Sequence, residues 1–142
     1  MVPDIPLAQG DAKFWVQTWN PSGYGPWSDA MTFKVPAPVL PGKVTLVSPL
    51  GISNTNPPVY FWTAEAHSTW YYLWVSDSTG NKIAKWYSAL GADCGSGTGT
   101  CAASPLIPLA IGGYKWWVQT WSPNGSGPWS DPMVFTVLPQ SP

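Results

Sequence analysis

Lys13-Phe14-Trp15-Val16-Gln17-Thr18-Trp19-Asn20-Pro21-Ser22-Gly23-Tyr24-Gly25-Pro26-Trp27-Ser28-Asp29-Ala30-Met31-Thr32-Phe33-Lys34-Val35 decides the fold, because the chain contains it twice. It returns as Lys115-Trp116-Trp117-Val118-Gln119-Thr120-Trp121-Ser122-Pro123-Asn124-Gly125-Ser126-Gly127-Pro128-Trp129-Ser130-Asp131-Pro132-Met133-Val134-Phe135-Thr136-Val137, at a constant offset of 102 residues and without a gap. Upstream, Pro3, Ile5, Pro6, Leu7, Ala8 and Gly10 fall on Pro105, Ile107, Pro108, Leu109, Ala110 and Gly112. A repeat this close indicates tandem modules of about one small domain each.

Working outward, residues 12 to 19 alternate as a strand does, with Phe14, Val16 and Thr18 on one face and Lys13, Trp15, Gln17 and Trp19 on the other. Asn20 to Pro26 reads as a Pro- and Gly-rich loop, and Trp27 to Val35 as a second strand, so the two form a hairpin. Pro36 to Pro41 is a proline-rich linker, too short to be floppy. A full module then spans 42–142. Its expected strands are Lys43 to Ser48, Val59 to Thr63, Thr69 to Ser76 and Lys82 to Ser88, followed by a stretch running to Ile111 and the repeated hairpin. About seven short strands in about 100 residues, separated by turn residues, is the signature of an all-β sandwich.

The 142 residues hold one full repeat and about a third of another. Residues 1–35 match only the last part of the repeat, which predicts a leading piece with an open core. Reciprocal swapping between identical chains does not close it, because each chain carries two copies of the last part and one of the first. The expectation is a window on a longer tandem array, with the missing strands supplied by a neighbour or by upstream sequence.

Composition removes several classes of function. Charged residues are only 9% of the chain and the net charge is −1, which excludes a nucleic-acid footprint and a polybasic membrane signal. No apolar run approaches the length of a membrane span, and Met1-Val2-Pro3-Asp4 does not begin a signal peptide. Eleven Trp, 17 Pro and 14 Gly favour short strands and turns over helices.

With these residues in view, 43–137 resembles a bacterial fibronectin type III domain, an immunoglobulin-like β-sandwich, and 3–35 resembles the last strands of another. The resemblance rests on Trp62 in the second strand and on Leu109-Ala110-Ile111-Gly112-Gly113-Tyr114, which is similar to that family's approach to a tyrosine corner at Tyr114. It rests also on the Pro-x-Gly-x-Gly-Pro-Trp-Ser loop and final strand. The first copy carries Ala12 in place of Tyr114, so the corner is absent there.

Chemistry has few footholds. Cys94 and Cys101 enclose Gly-Ser-Gly-Thr-Gly-Thr. The spacing is not C-x-x-C, and a metal site would need four ligands of which only His67 could be added, so a disulfide is favoured over a metal site, with two reduced thiols as the alternative. One Glu, Glu65, with six Asp placed mostly in turns gives no carboxylate pair for glycoside hydrolysis. His67 beside Ser68 lacks the rest of a triad. No catalytic residue, metal or cofactor is expected.

The aromatic residues are more informative. Alternation puts Trp117, Gln119 and Trp121 outside the core, and a sandwich of this kind sets Trp70, Tyr72 and Trp74 beside them. This face could stiffen the module locally, contact other modules or chains, or stack sugar rings. The resemblance extends to the Trp-Ser ladder of cytokine-receptor modules, which implies that Trp129 packs on Lys115 or between Trp117 and Trp121. Asn124-Gly125-Ser126 is a formal glycosylation sequon.

The resulting expectation is a structural module of an extracellular, cell-surface or filament protein such as an adhesin. Its partners would be neighbouring repeats or identical chains, and glycans if the aromatic face is used. The alternative is a carbohydrate-binding accessory module of a secreted enzyme.

Overall fold

A computed structural model describes residues 7–139 and divides the chain into two units between Pro38 and Val39. Every regular element among the described residues is a strand.

Unit 1 holds four: β1 (Gly10–Phe14), β2 (Gln17–Asn20), β3 (Gly23–Trp27) and β4 (Met31–Val35). β1 pairs antiparallel with β4, from Gly10 opposite Val35 to Phe14 opposite Met31. β2 pairs antiparallel with β3 through a tight turn at Pro21 and Ser22. The stretch from Asn20 to Pro26, read above as a loop, is thus largely strand. Asn20 Oδ1 accepts the Ser22 amide at 2.8 Å, which closes the turn. Gly23 adopts φ 133°, a conformation open to glycine and unfavourable for other residues.

Unit 2 contains β5 (Leu46–Ser48), β6 (Gly51–Ile52), β7 (Tyr60–Thr63), β8 (Trp70–Asp77), β9 (Gly80–Ser88), β10 (Thr100–Ala103), β11 (Gly112–Ser122), β12 (Gly125–Trp129) and β13 (Met133–Val137). One sheet runs β10-β7-β5 and the other β6-β13-β11-β8-β9, with β12 also paired to β11. Two antiparallel-dominated sheets packed face to face over a shared core make this unit a sandwich of the fibronectin type III/immunoglobulin kind. Two departures from the expected strands are local. β5 starts at Leu46 rather than Lys43, whose ammonium instead reaches Asp131 Oδ2 at 3.2 Å. Gly51 and Ile52, between the first two expected strands, add in parallel to β13 opposite Phe135 and Thr136.

The core is aromatic. Tyr60 and Trp62 of β7 point between the sheets and are fully buried. The Tyr60 ring meets Trp116 edge-on at 5.2 Å and Phe135 at 6.1 Å, and Trp62 lies 5.5 Å from Tyr71. Burying each such ring stabilises the fold by roughly 2–3 kcal/mol. Along β11, Tyr114, Trp116, Val118, Thr120 and Ser122 alternate inward, and the residues between them face out. The Trp116 Nε1–H donates to the Pro49 carbonyl at 3.1 Å, so this large side chain is buried without a stranded polar atom.

Cys94 and Cys101 form a disulfide with their Cα atoms 5.0 Å apart. Both are buried, and Cys101 sits on β10 opposite Trp62, so the bridge ties the glycine-rich loop onto one end of the core. Closing a loop of this length contributes about 2 kcal/mol in the chain-entropy model. Reducing the bridge, or Cys94→Ser with Cys101→Ser, should lower the unfolding free energy by about that amount in a denaturant titration.

Candidate functional site

β11 is the central strand of the larger sheet, and its outward residues meet those of β8 in register. Trp117 lies opposite Trp74, Gln119 opposite Tyr72, and Trp121 opposite Trp70. Two further strands extend the middle row, because Tyr72 faces Trp86 on β9 and Gln119 faces Trp129 on β12. The six face residues named from sequence are therefore neighbours on one outer surface. Trp86 was overlooked because the expectation was confined to two strands, although its period-2 position on the fourth strand was readable.

Tyr72 is the hub. Its ring centroid lies 4.6 Å from Trp86, 5.9 Å from Trp129 and 6.1 Å from Trp74. On either side of this ridge lies an open, apolar cleft. One, of about 420 Å³, is lined by Trp70, Trp86 and Trp121. The other, of about 440 Å³, is lined by Trp74, Trp117, Trp129 and Ser130. Both are shallow and open, so they present ring faces to solvent rather than enclosing a ligand.

Trp129 makes its aromatic contact with Tyr72, at 5.9 Å between ring centroids, a partner outside the two positions expected for it. It stands opposite Gln119, between Trp117 and Trp121, whereas Lys115 pairs with Val134 and Ser76 further down the strand. The proposed Lys115–Trp129 contact is therefore replaced by an aromatic one with Tyr72. The shift between Gln119 and Trp121 moves Trp129 from the place opposite Val118 to the place opposite Gln119, and so onto the outer face.

That shift is held by side chains. Gln119 Nε2 donates to the Gly127 carbonyl at 3.1 Å, so this amide clamps the hairpin in addition to lying on the face. Ser130 Oγ accepts the Val118 amide at 3.0 Å, and the Ser130 amide donates to the Val118 carbonyl at 2.8 Å. Unit 1 repeats the clamp bond for bond. Gln17 Nε2 donates to Gly25 O at 3.1 Å, the Val16 amide to Ser28 Oγ at 3.0 Å, and the Ser28 amide to Val16 O at 2.8 Å. It also repeats the cleft, with Trp15, Trp27 and Ser28 in place of Trp117, Trp129 and Ser130. The serines were legible in principle, since both copies carry Gly-Pro-Trp-Ser.

The two units differ in what covers the other face. Trp116, Val118, Thr120 and Phe135 are each 0% exposed, while their counterparts Phe14 and Val16 are 47% and 60% exposed, Phe33 is 39% exposed and Thr18 is open to solvent.

The remaining candidates are placed as follows. The Tyr114 hydroxyl donates to the Ala110 carbonyl at 2.7 Å and closes the corner ahead of β11. Burial, with the charge of Asp77 nearby, raises its pKa. Burial likewise pushes the Tyr60 phenol well above its ordinary range, so both remain neutral across physiological pH. Asn124 is exposed, and its Nδ2 donates to the Val39 carbonyl at 3.0 Å. His67 Nδ1 approaches Glu65 Oε1 at 3.4 Å, and the buried Ser68 hydroxyl donates to Trp70 O at 2.8 Å, so the adjacent pair does not form a nucleophile and base. Among the described residues, no group of three or more His, Cys, Asp or Glu side chains could hold a metal ion.

No family model and no curated protein matches the sequence. Among solved structures, the chain is similar to the FN1–FN3 domains of chicken CNTN1, at 15% identity and a TM-score of 0.45, covering 92% of this chain and 45% of that one. It is also similar to the chitinase ChiW from Paenibacillus sp. str. FPU-7, described as a cell-surface-expressed multi-modular enzyme, at 15% identity and a TM-score of 0.41, covering 72% of this chain and 9% of that one. The chain thus spans less than half the length of either.

The duplicated clamp supplies an internal control. Ser130→Ala strands a buried amide and should cost about 1–3 kcal/mol of stability. Ser28→Ala exposes its amide to water instead and should change the same unfolding transition by less than about 0.5 kcal/mol. Chemical denaturation of the two variants checks the difference.

Proposed function

We propose that the chain is a structural module of an extracellular tandem-repeat surface or filament protein, acting through packing between modules or chains. The observation that carries this reading is unit 1. It reproduces the β11–β13 hairpins of unit 2, pairing for pairing, while leaving exposed the side chains that unit 2 buries. A strand set of that kind gains stability only when another surface covers it. The buried disulfide supports an oxidising compartment, where such bridges persist. The low content of charge supports close packing of modules, since few ions must be desolvated at a contact.

The aromatic clefts favour a second reading, a carbohydrate-binding accessory module. Rings held around the Tyr72 ridge, with the Trp15 and Trp27 pair alone repeated in unit 1, offer flat apolar surfaces on which the faces of pyranose rings can lie.

The readings part experimentally. On the first, sedimentation velocity and electron microscopy should show concentration-dependent assembly of the chain; its absence at all concentrations would refute it. On the second, Trp117→Ala should weaken binding to soluble polysaccharides at least about tenfold with the fold and assembly retained.

A further inference from the structure

The open face of unit 1 has a template for its cover, because the same strand pattern is covered 102 residues later. In unit 2, β8 pairs with β11 from Lys115 to Trp121. β6 lies parallel to β13, and Tyr60 on β7 sets its ring against Trp116 and Phe135. The corresponding places in unit 1 are the edge from Lys13 to Trp19, the edge of β4 at Phe33, and the rings of Phe14 and Phe33, which lie 6.1 Å apart. The strand geometry records the missing neighbour. β11 is continuous over eleven residues, whereas its counterpart breaks at Trp15 and Val16 into β1 and β2. Those two residues match Trp117 and Val118, which β8 pairs in unit 2.

We infer that unit 1 is the acceptor for a further polypeptide segment built like residues 43–111, and that a second copy of this chain does not supply it. The inference rests on the module reading and names the partner. The strands within residues 43–111 already cover the hairpin at 115–137, and their side chains match that hairpin rather than the one at 13–35.

The acceptor also specifies how its donor differs from residues 43–111. Trp116 donates its indole N–H to Pro49 O, but Phe14 has no such donor, so the carbonyl matching Pro49 is not called for. Tyr114 stacks on Phe135 at 5.5 Å, but its counterpart is Ala12, so the donor has to fill the space that a phenol ring occupies in unit 2. The donor therefore carries an inward-alternating strand of the β8 kind, a large aromatic at the place of Tyr60, and extra bulk beside Ala12.

The test is the full chain with a copy of residues 39–102 placed ahead of Met1, which restores the repeat register. A second version adds Ala12→Tyr and Phe14→Trp, so that acceptor and supplied donor match. Amide hydrogen exchange is followed over β1–β4, with β11–β13 as the internal reference in the same molecule. Exchange in β1–β4 should slow at least about tenfold in the first version and further in the second. If β1–β4 exchange as fast in both versions as in the unextended chain, while β11–β13 stay protected, the inference is overturned. Slow exchange in the unextended chain that strengthens with protein concentration would assign the face to a second copy and overturn it equally. Sedimentation of the same samples separates the two levels. Protection without assembly keeps the donor and discards the filament reading, and assembly of the unextended chain without protection in either extended version does the reverse.

Discussion

The structure depends on one strand having neighbours on both edges and a cover on one face. β11 is paired by β8 along one edge and by β13 and then β12 along the other, and its inward side chains lie under β7. Each requirement serves a different group. The ladders satisfy backbone N–H and C=O groups that would otherwise be desolvated unpaired. The cover removes Trp116, Val118 and Phe135 from water. Unit 1 meets only one of the three conditions, a ladder on one edge. Its strand is broken and its apolar side chains are exposed. The two copies compare nearly the same sequence with and without its surroundings.

Much of this was legible in the sequence because the signals were local or repeated. Period-2 alternation placed Trp117, Gln119 and Trp121 on a common face and Trp116 and Val118 on the other. The match of residues 1–35 to the last part of the repeat alone predicts the exposed face of unit 1. Composition misled at Asn20 to Pro26, where Pro and Gly were read as a loop. There the glycines permit a strand. Gly25 and Gly127 lie where a side chain would collide with Thr18 and Thr120 respectively, so small residues allow β3 and β12 to close on their partners. The parallel addition of Gly51 and Ile52 to β13 was not legible, since two residues carry no periodicity and the pairing spans more than 80 positions.

The placement of Trp129 shows the same division between local and tertiary information. Sequence limited it to Lys115 or to the space between Trp117 and Trp121. Pairing puts it opposite Gln119, four residues along β11 from Lys115, in a hairpin held by Gln119 and Ser130 through bonds to backbone groups. A cation–π contact at an exposed site contributes about 0.5–1 kcal/mol, no more than the aromatic contact that replaces it. Register, fixed by the hydrogen bonds, and side-chain energetics therefore point the same way.

The seating of Val39 to Gly42 has a mechanical consequence. Asn124 Nδ2 holds the Val39 carbonyl at 3.0 Å and Thr120 Oγ1 holds the Gly42 carbonyl at 2.9 Å, while the Pro41 carbonyl lies where a side chain on Gly127 would be. The chain thus enters unit 2 gripped by the clamped hairpin rather than hanging from the first strand. At the other end, β13 lies between β6 and β11 and is bonded along both edges. Tension applied through the two ends of this unit would reach side-chain latches at the entrance and a doubly sheared strand at the exit. Both have to fail before the aromatic core between them carries load.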